Sequence, residues 1–349
     1  MVTMADIAKR AGVSRATASY ILNDRQTEMR ISDETCQRVL EAVNDLGYRR
    51  NDLARAVKSG KSFVLGYLKM AHVELETHIQ EGMLKTATEA GYLLKLMVWG
   101  DLPVAQVARR CVEQRLAGVI TRCLPEVGDT IAFFAELESY GIPVVFVDDS
   151  LEGMALPRMS WVTSDDEQGV RSAVEHLVEL GHRAIAFIGG YLWDRLHPQE
   201  FKRLDTFLQV MAIHTLPVPE DFVLEAKWNT PLTEQLIRQL FQERPRQPTA
   251  LVCAGAEPAL VAIRTLRRMG IRVPEDVSVI GYSDFAFASL VDPPLTTISQ
   301  PFEEMGTVAT QILLRKLQDR TVAEESGSHI LLPTTLIVRE STTIPRHIH

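Results

Sequence analysis

Apolar positions in the first 48 residues recur at helical spacing between polar interruptions, and the pattern predicts three short helices. Thr3 caps the first, whose third position is Asp6 and whose apolar side is Ile7, Ala8 and Ala11, until Gly12 breaks it. After the turn Ala11-Gly12-Val13, Ser14 caps a second helix with Ala18, Ile21 and Leu22 on one face and Arg15, Ala16, Ser19 and Tyr20 turned outward. A polar loop from Asp24 to Arg30 leads to Ser32, and Val39, Leu40, Val43 and Leu46 follow at helical spacing until Gly47 offers a stop. The stretch from Asn51 to Ser59 has only Leu53, Ala54, Ala56 and Val57 to bury, so a helix there is marginal alone and conditional on a partner.

From residue 62 the texture changes to short aliphatic or β-branched runs alternating with longer amphipathic ones. Phe63 to Leu68, Leu93 to Val98, Gly118 to Thr121, Pro143 to Val147, Ala184 to Ile188, Ala250 to Cys253 and Val277 to Gly281 read as strands, with helical patterns between most of them. Such alternation specifies parallel sheets with crossover helices. The roughly 290 residues available exceed what one such sheet needs, so two α/β lobes are expected. No internal repeat or low-complexity segment stands out.

Composition leaves this division intact: 349 residues, 46% hydrophobic and 23% charged, suit an ordinary globular chain of two or three domains and exclude a fibrous or largely disordered one. There is no run of 18 apolar residues, and Asp6, Lys9 and Arg10 stand where a signal peptide needs an apolar stretch, so a cytoplasmic location is expected. Cys36, Cys111, Cys123 and Cys253 form no CxxC pair and no zinc-like spacing; buried thiols are expected, and neither a metal nor a cofactor. Charge does change the picture. The total of −8 speaks against nucleic acid, yet residues 1 to 60 carry ten Lys and Arg against eight Asp and Glu, a net +2 that leaves −10 on the remaining 289. The asymmetry is sharpest between residues 48 and 61, where Arg49, Arg50, Arg55, Lys58 and Lys61 face only Asp52.

Helix, tight glycine turn and second helix at residues 4 to 23 have the dimensions of a helix-turn-helix, whose second helix presents polar side chains to the major groove. Arg15 can give two hydrogen bonds to guanine, and Tyr20 offers a hydroxyl and an apolar ring edge. The competing reading is an ordinary helical hairpin with an exposed Arg and Tyr, and the basic stretch that follows weighs against it. In the second half, His176 and His182 stand six apart, too far round a helix to share a metal, and read as packing or capping residues. Gly189-Gly190 resembles half a nucleotide loop but lacks the remaining glycine or a following Lys-Ser/Thr.

Several long blocks in order, VTMADIAKRAGVSRATASYILN at the start, ISDETCQRVLEAVNDLGY, GIPVVFVD at 141, EHLVELGHRAIAFIGG at 175 and VSVIGYSDFAFASLVDPPLTTISQP at 277, resemble the LacI/GalR family of bacterial repressors from end to end. The resemblance implies a small all-α helix-turn-helix headpiece (1–48), a hinge helix and linker (49–61), and a two-lobed α/β effector-binding and dimerisation core (62–349) similar to type I periplasmic binding proteins. Lobe 1 is expected at about 62–162 and 291–322, and lobe 2 at about 163–290 and 323–349. Operator DNA, a homodimer or dimer of dimers, and a small effector are the implied partners, and the protein is expected not to be an enzyme. By family position, Arg15, Ala16 and Tyr20 read bases, Ser14 and Ser19 lie near phosphate, and the hinge residues Asn51, Arg55 and Val57 engage DNA, Val57 standing where a longer leucine wedge is usual and Arg50 where a proline is usual.

In the cleft, Arg203 matches the arginine that holds the effector, Trp228 the aromatic that stacks on a sugar, Asp148 ends its strand at the mouth, and Ser283 replaces an effector-binding aspartate. Each has a structural alternative: Arg203 could pair with Asp205 or another carboxylate, Trp228 could be core, Asp148 could cap the next element. Gly255-Ala256 stands where an Asn-Asp pair is usual, and the segment MAHVELETH after the first strand lacks the usual Asn-Pro-aromatic sequence and carries Glu74 and Glu76. With fewer carboxylates around Arg203, an acidic effector such as a sugar acid or phosphorylated sugar is expected, although Glu74 and Glu76 oppose it if their loop folds inward. The rival function is a soluble sugar-binding protein or sugar-processing enzyme of the same α/β architecture; it predicts no headpiece and, for an enzyme, a nucleophile or base constellation.

Overall fold

The computed structural model describes residues 2–22, 26–27, 29–48, 62–69, 74–98, 102–124, 126–149, 158–193, 198–243, 246–319 and 327–346, in two units, 1–61 and 62–349. In the first unit, α1 (Met4–Ala11), α2 (Arg15–Ile21) and α3 (Asp33–Asp45) start and stop where local chemistry directs. Asp6 Oδ2 accepts from the Thr3 backbone N–H at 2.8 Å and the Thr3 hydroxyl at 2.7 Å, and these bonds hold its carboxyl below the ordinary carboxylate range. Gly12 ends α1 at φ 66°, a left-handed conformation that glycine adopts without a Cβ penalty. The Ser14 and Ser32 hydroxyls accept from the N–H of Thr17 and Thr35. Ile7, Ala8, Ala11, Ala18, Ile21, Val39 and Ala42 form the core. Leu40, expected inside, is 46% exposed; Ala42 takes the inward place beside Val39.

The second unit contains β1 (Val64–Lys69), α4 (Glu74–Glu89), β2 (Leu93–Val98), α5 (Val104–Glu113), β3 (Gly118–Thr121), α6 (Val127–Ser139), β4 (Val144–Val147) and β5 (Ser160–Ser164). It continues with α7 (Asp166–Glu179), β6 (Ile185–Gly189), α8 (Pro198–Ile213), β7 (Val223–Glu225), α9 (Thr230–Gln242), β8 (Ala250–Cys253), α10 (Ala256–Arg268) and β9 (Ser278–Tyr282). Last come β10 (Thr296–Ser299), α11 (Phe302–Gln318), β11 (His329–Leu332) and β12 (Thr335–Ile337). Two six-stranded sheets result, β11-β5-β4-β3-β1-β2 and β12-β10-β9-β8-β6-β7, parallel except where β12 pairs antiparallel with β10. Helices cover both faces of each sheet, which is why β3, β4, β6 and β8 are fully buried runs rather than alternating ones.

The sheets correct the expected lobe limits. β10 extends the second sheet through Thr296↔Ile280, and β11 extends the first through His329↔Trp161. The second segment of lobe 1 therefore runs from about residue 300 to 332 rather than 291 to 322, and the chain crosses between lobes near residues 165, 300 and 333. The segment MAHVELETH, expected as a loop, is helical from Glu74. Inside lobe 1, Gly82 of α4 and Gly306 of α11 let the two helices meet backbone to backbone: a Cβ on Gly82 would overlap the Glu303 carbonyl oxygen, and one on Gly306 the Ile79 carbonyl oxygen. Among the described residues no helix is long and apolar enough to cross a membrane.

Candidate nucleic-acid interface and ligand cleft

On α2 the helical period separates two faces. Ala18 and Ile21 are buried in the headpiece core, while Ser14, Arg15 and Ala16 are exposed and Ser19 and Tyr20 half-buried. The Ser14 hydroxyl is occupied as an N-cap, accepting from Thr17 N–H at 3.0 Å. The arrangement can present one arginine and small side chains from the first turn of a helix, the end that leads a helix into a groove. Asn51, Arg55 and Val57 lie outside the described residues.

The second candidate site lies between the sheets, at the carboxyl ends of their strands, the usual place for ligands in open α/β sheets. Asp148 ends β4 with φ 63° and is 9% exposed. Arg122, which follows β3, stands 3.4 Å from Asp148 and 3.4 Å from Asp149. Burial pushes the Asp148 carboxyl up to about 7, with Arg122 pulling it down and Asp149 pushing it further up. Because the folded carboxyl keeps its proton to higher pH than the unfolded one, this group's contribution to stability falls as pH rises from the ordinary carboxylate range to about 7. Asparagine tolerates a positive φ and carries no charge. Asp148→Asn should therefore match wild type at about pH 4 and gain on the order of 2 to 4 kcal/mol over it at pH 8, read as the difference between their denaturant unfolding curves; a variant tracking wild type across that range would contradict the assignment.

Arg203 on α8 is held on three sides. Its Nε donates to Asp166 at 2.8 Å, its Nη1 to the Ala254 carbonyl at 2.9 Å, and its guanidinium carbon lies 4.0 Å from the centre of the Tyr282 ring. Burial opposes its charge, and Asp166 more than restores it, leaving the guanidinium above its usual range. Asp166 also accepts from Tyr282 at 2.7 Å and Ser164 at 2.6 Å; Gln300 donates to Ser164 at 2.8 Å and accepts from Ser283 at 2.7 Å. Arg203 and Ser283, expected as neighbours through a ligand, are thus joined through protein. Of the carboxylates weighed as a structural partner for Arg203, Asp205 instead accepts from Gln209, and the pairing is with another, Asp166. A cavity of about 530 Å³ opens beside Gln300, lined also by His78, Asp284, Phe302, Glu303 and Glu304.

Trp228 is not core: it is 39% exposed, and its Nε1 donates to Glu200 at 2.6 Å. It sits at φ 50°, after Lys227 at 49°, so Asp148, Trp228 and Ser283 (φ 72°), three of the four expected effector residues, share the costly left-handed region. Such strain gathers at functional sites, where the surrounding structure holds it in place. The indole also explains two glycines. A Cβ on Gly190 would overlap Trp228 Nε1, and one on Gly255 would come within 2.6 Å of its Cζ3. Gly189-Gly190 is therefore no phosphate loop, and Gly255 is a seat for a ring rather than simply a lost polar anchor.

Sequence reasoning missed Asp166, Tyr282, Glu200, Arg122 and Gln300. Only Asp166, second in an acidic run at the start of a helix, carried a local signal. His176 and His182 act as expected, in structure: His176 contacts Thr342, and His182 bridges Thr249 and the Thr343 carbonyl. Among the described residues no group of three or more His, Cys, Asp or Glu side chains could hold a metal.

Comparison with known proteins places both sites in context. Residues 3–51 match the description "Bacterial regulatory proteins, lacI family" and residues 174–342 "Periplasmic binding protein-like domain". The chain is 31% identical over 323 residues to the HTH-type transcriptional repressor PurR of Vibrio parahaemolyticus, covering 92% of this chain and 93% of that protein, and 30% identical to PurR of Aliivibrio fischeri over the same shares. Among solved structures it is similar to a lac repressor dimer bound to operator and the anti-inducer ONPF, with a TM-score of 0.78 and 28% identity over 98% of this chain and 99% of that one. It is also similar to a complex of the transcriptional regulator CelR with cellobiose, with a TM-score of 0.71 and 26% identity over 98% and 100%.

Proposed function

Because the chain belongs to the lacI family of bacterial regulatory proteins and is, with its relatives, a ligand-responsive transcriptional repressor, we propose that it binds a near-palindromic operator as a dimer and that a sugar-like effector between the lobes sets its affinity for DNA. The observation that carries this reading is the joining, in one chain, of a capped second helix with an exposed Arg15 to a cleft whose expected ligand residues adopt strained backbone conformations. A relative of the same fold is described as a dimer on operator, and another as a sugar complex. A second copy also suits the outer edge of lobe 1, where Leu84 of α4 and Leu93, Leu96 and Val98 of the edge strand β2 are each half exposed or more.

In this reading Arg15, Ala16 and Tyr20 face bases, Ser14 and Ser19 lie near phosphate, and Asn51, Arg55 and Val57 form a hinge that folds on DNA. Trp228 covers the apolar face of the sugar, Asp148 and Ser283 meet its hydroxyls, and Arg203 offers Nη2, which has no partner among the described residues. The acidic class loses its ground, since it rested on an arginine with few carboxylates and Arg203 is already answered by Asp166 at 2.8 Å. The effector favours one relative orientation of the lobes, three chain crossings carry the change, and only one orientation keeps the paired hinges on DNA. The test is a mobility-shift assay with operator fragments selected from genomic DNA. Arg15→Ala should cost about 1 to 3 kcal/mol on the operator and relax preference at one base pair per half-site. Equal weakening on every sequence would make Arg15 a phosphate contact.

A further inference from the structure

We propose that the effector is positively charged, an amino sugar whose ammonium group sits on the Trp228 ring beside Glu200; this rests on the cleft being the effector site. The guanidinium groups of Arg203, Arg122 and Arg339 each already face a carboxylate. Arg203 gives Nε to Asp166, Arg122 stands between Asp148 and Asp149, and Arg339 makes two bonds to Asp284 at 2.7 and 3.0 Å. An anionic ligand would have to share each of them with a carboxylate already in place.

Glu200 is in the opposite position. It is 8% exposed, it accepts from the Trp228 indole N–H and the Tyr191 backbone N–H, both uncharged donors, and no cation among the described residues forms an ion pair with it. Lys227, next to Trp228 in sequence, is 4.0 Å from Glu225 instead. Glu200 therefore places a carboxylate that no described cation answers at the edge of an aromatic ring.

That ring is fixed. Successive left-handed residues set its direction, Gly190 and Gly255 leave room for it, and Glu200 holds its N–H edge. An ammonium over the indole gains from the ring quadrupole and from the carboxylate together, in a partly desolvated place where both count for more than in water. A neutral hydroxyl in the same place can donate to the carboxylate but gains little from the ring, and a carboxylate is repelled.

The experiment is calorimetric titration and thermal shift of the full chain with glucosamine, N-acetylglucosamine, glucose and gluconate at about pH 6.5, below the usual range of an α-amino group. Glucosamine should bind about tenfold more tightly than glucose or N-acetylglucosamine, and gluconate most weakly. In Glu200→Gln the ratio of glucosamine to glucose affinity should fall close to one, while Glu200→Asp should keep part of it. The wild-type ranking stands without either variant if one fails to fold. Equal affinities, or gluconate the tightest, overturn the charge assignment and leave the sugar cleft standing; no binding by any of the four overturns the sugar cleft and this proposal with it.

Discussion

Gly306→Ala should destabilise the core by at least about 3 kcal/mol, although a helix interior ordinarily gains up to about 1 kcal/mol from that exchange. The sign is decided by what lies opposite. The methyl would overlap the Ile79 carbonyl oxygen of α4, a backbone atom with no rotamer to change, and would come within 3.0 Å of Met83 N. Relief requires α4 and α11 to separate, and both are built into one apolar cluster with Ile79, Met83, Met305 and Ala309, all at 0% exposure. Close packing cannot open along one contact without losing others. Gly82→Ala meets the Glu303 carbonyl from the other side and should cost a comparable amount. Urea unfolding of the two variants measures this, and a Gly306→Ala protein as stable as wild type would mean that the helices do not cross at these glycines.

Asp166→Ala is expected to be at least as damaging, for an electrostatic reason. The Asp166 side chain is 2% exposed and accepts from Arg203, Tyr282 and Ser164. Its loss leaves a guanidinium 12% exposed without its carboxylate and two hydroxyls without their acceptor. Breaking a buried pair from one side costs about 3 to 5 kcal/mol, far more than the net contribution of the pair itself. Asp166→Ala combined with Arg203→Leu should therefore recover part of the loss, a sign that no simple addition of two single effects would produce. Unfolding curves for the two single variants and the double one measure the coupling; a double variant as unstable as the sum of the singles would show that the pair does not act as a unit.

How far the sequence could be read depended on the range of the deciding interaction. Thr3, Ser14 and Ser32 each act within three residues of themselves, so the three headpiece helices were legible to within a residue. The long apolar strands were legible as well. β5, β7, β10, β11 and β12 were not, because runs such as Ser160–Ser164 and Thr296–Ser299 have weak patterns and become strands through partners far along the chain. The missed β10 and β11 account for the misplaced lobe limits. In the cleft, the family resemblance pointed to Arg203, Trp228, Asp148 and Ser283, but not to the residues that surround them. Asp166 lies 37 residues from Arg203 and 116 from Tyr282, separations at which no local pattern carries a signal. Of the two glycines under Trp228, Gly255 read as a loss and Gly190 as half a nucleotide loop, because the ring that needs them is elsewhere in the sequence.

The threefold passage of the chain between lobes also governs how this protein can be made. β5 finds its outer neighbour in β11, 168 residues later, as in the pairing of Trp161 with His329, so the first sheet stays unfinished until almost the whole chain has left the ribosome. The second sheet waits on Thr335–Ile337 for the same reason. Neither lobe is a segment that could be cut out, swapped by simple fusion or inherited as a contiguous module. A stop codon placed shortly after α11 would spare every helix of the core and still leave an open edge on both sheets at once.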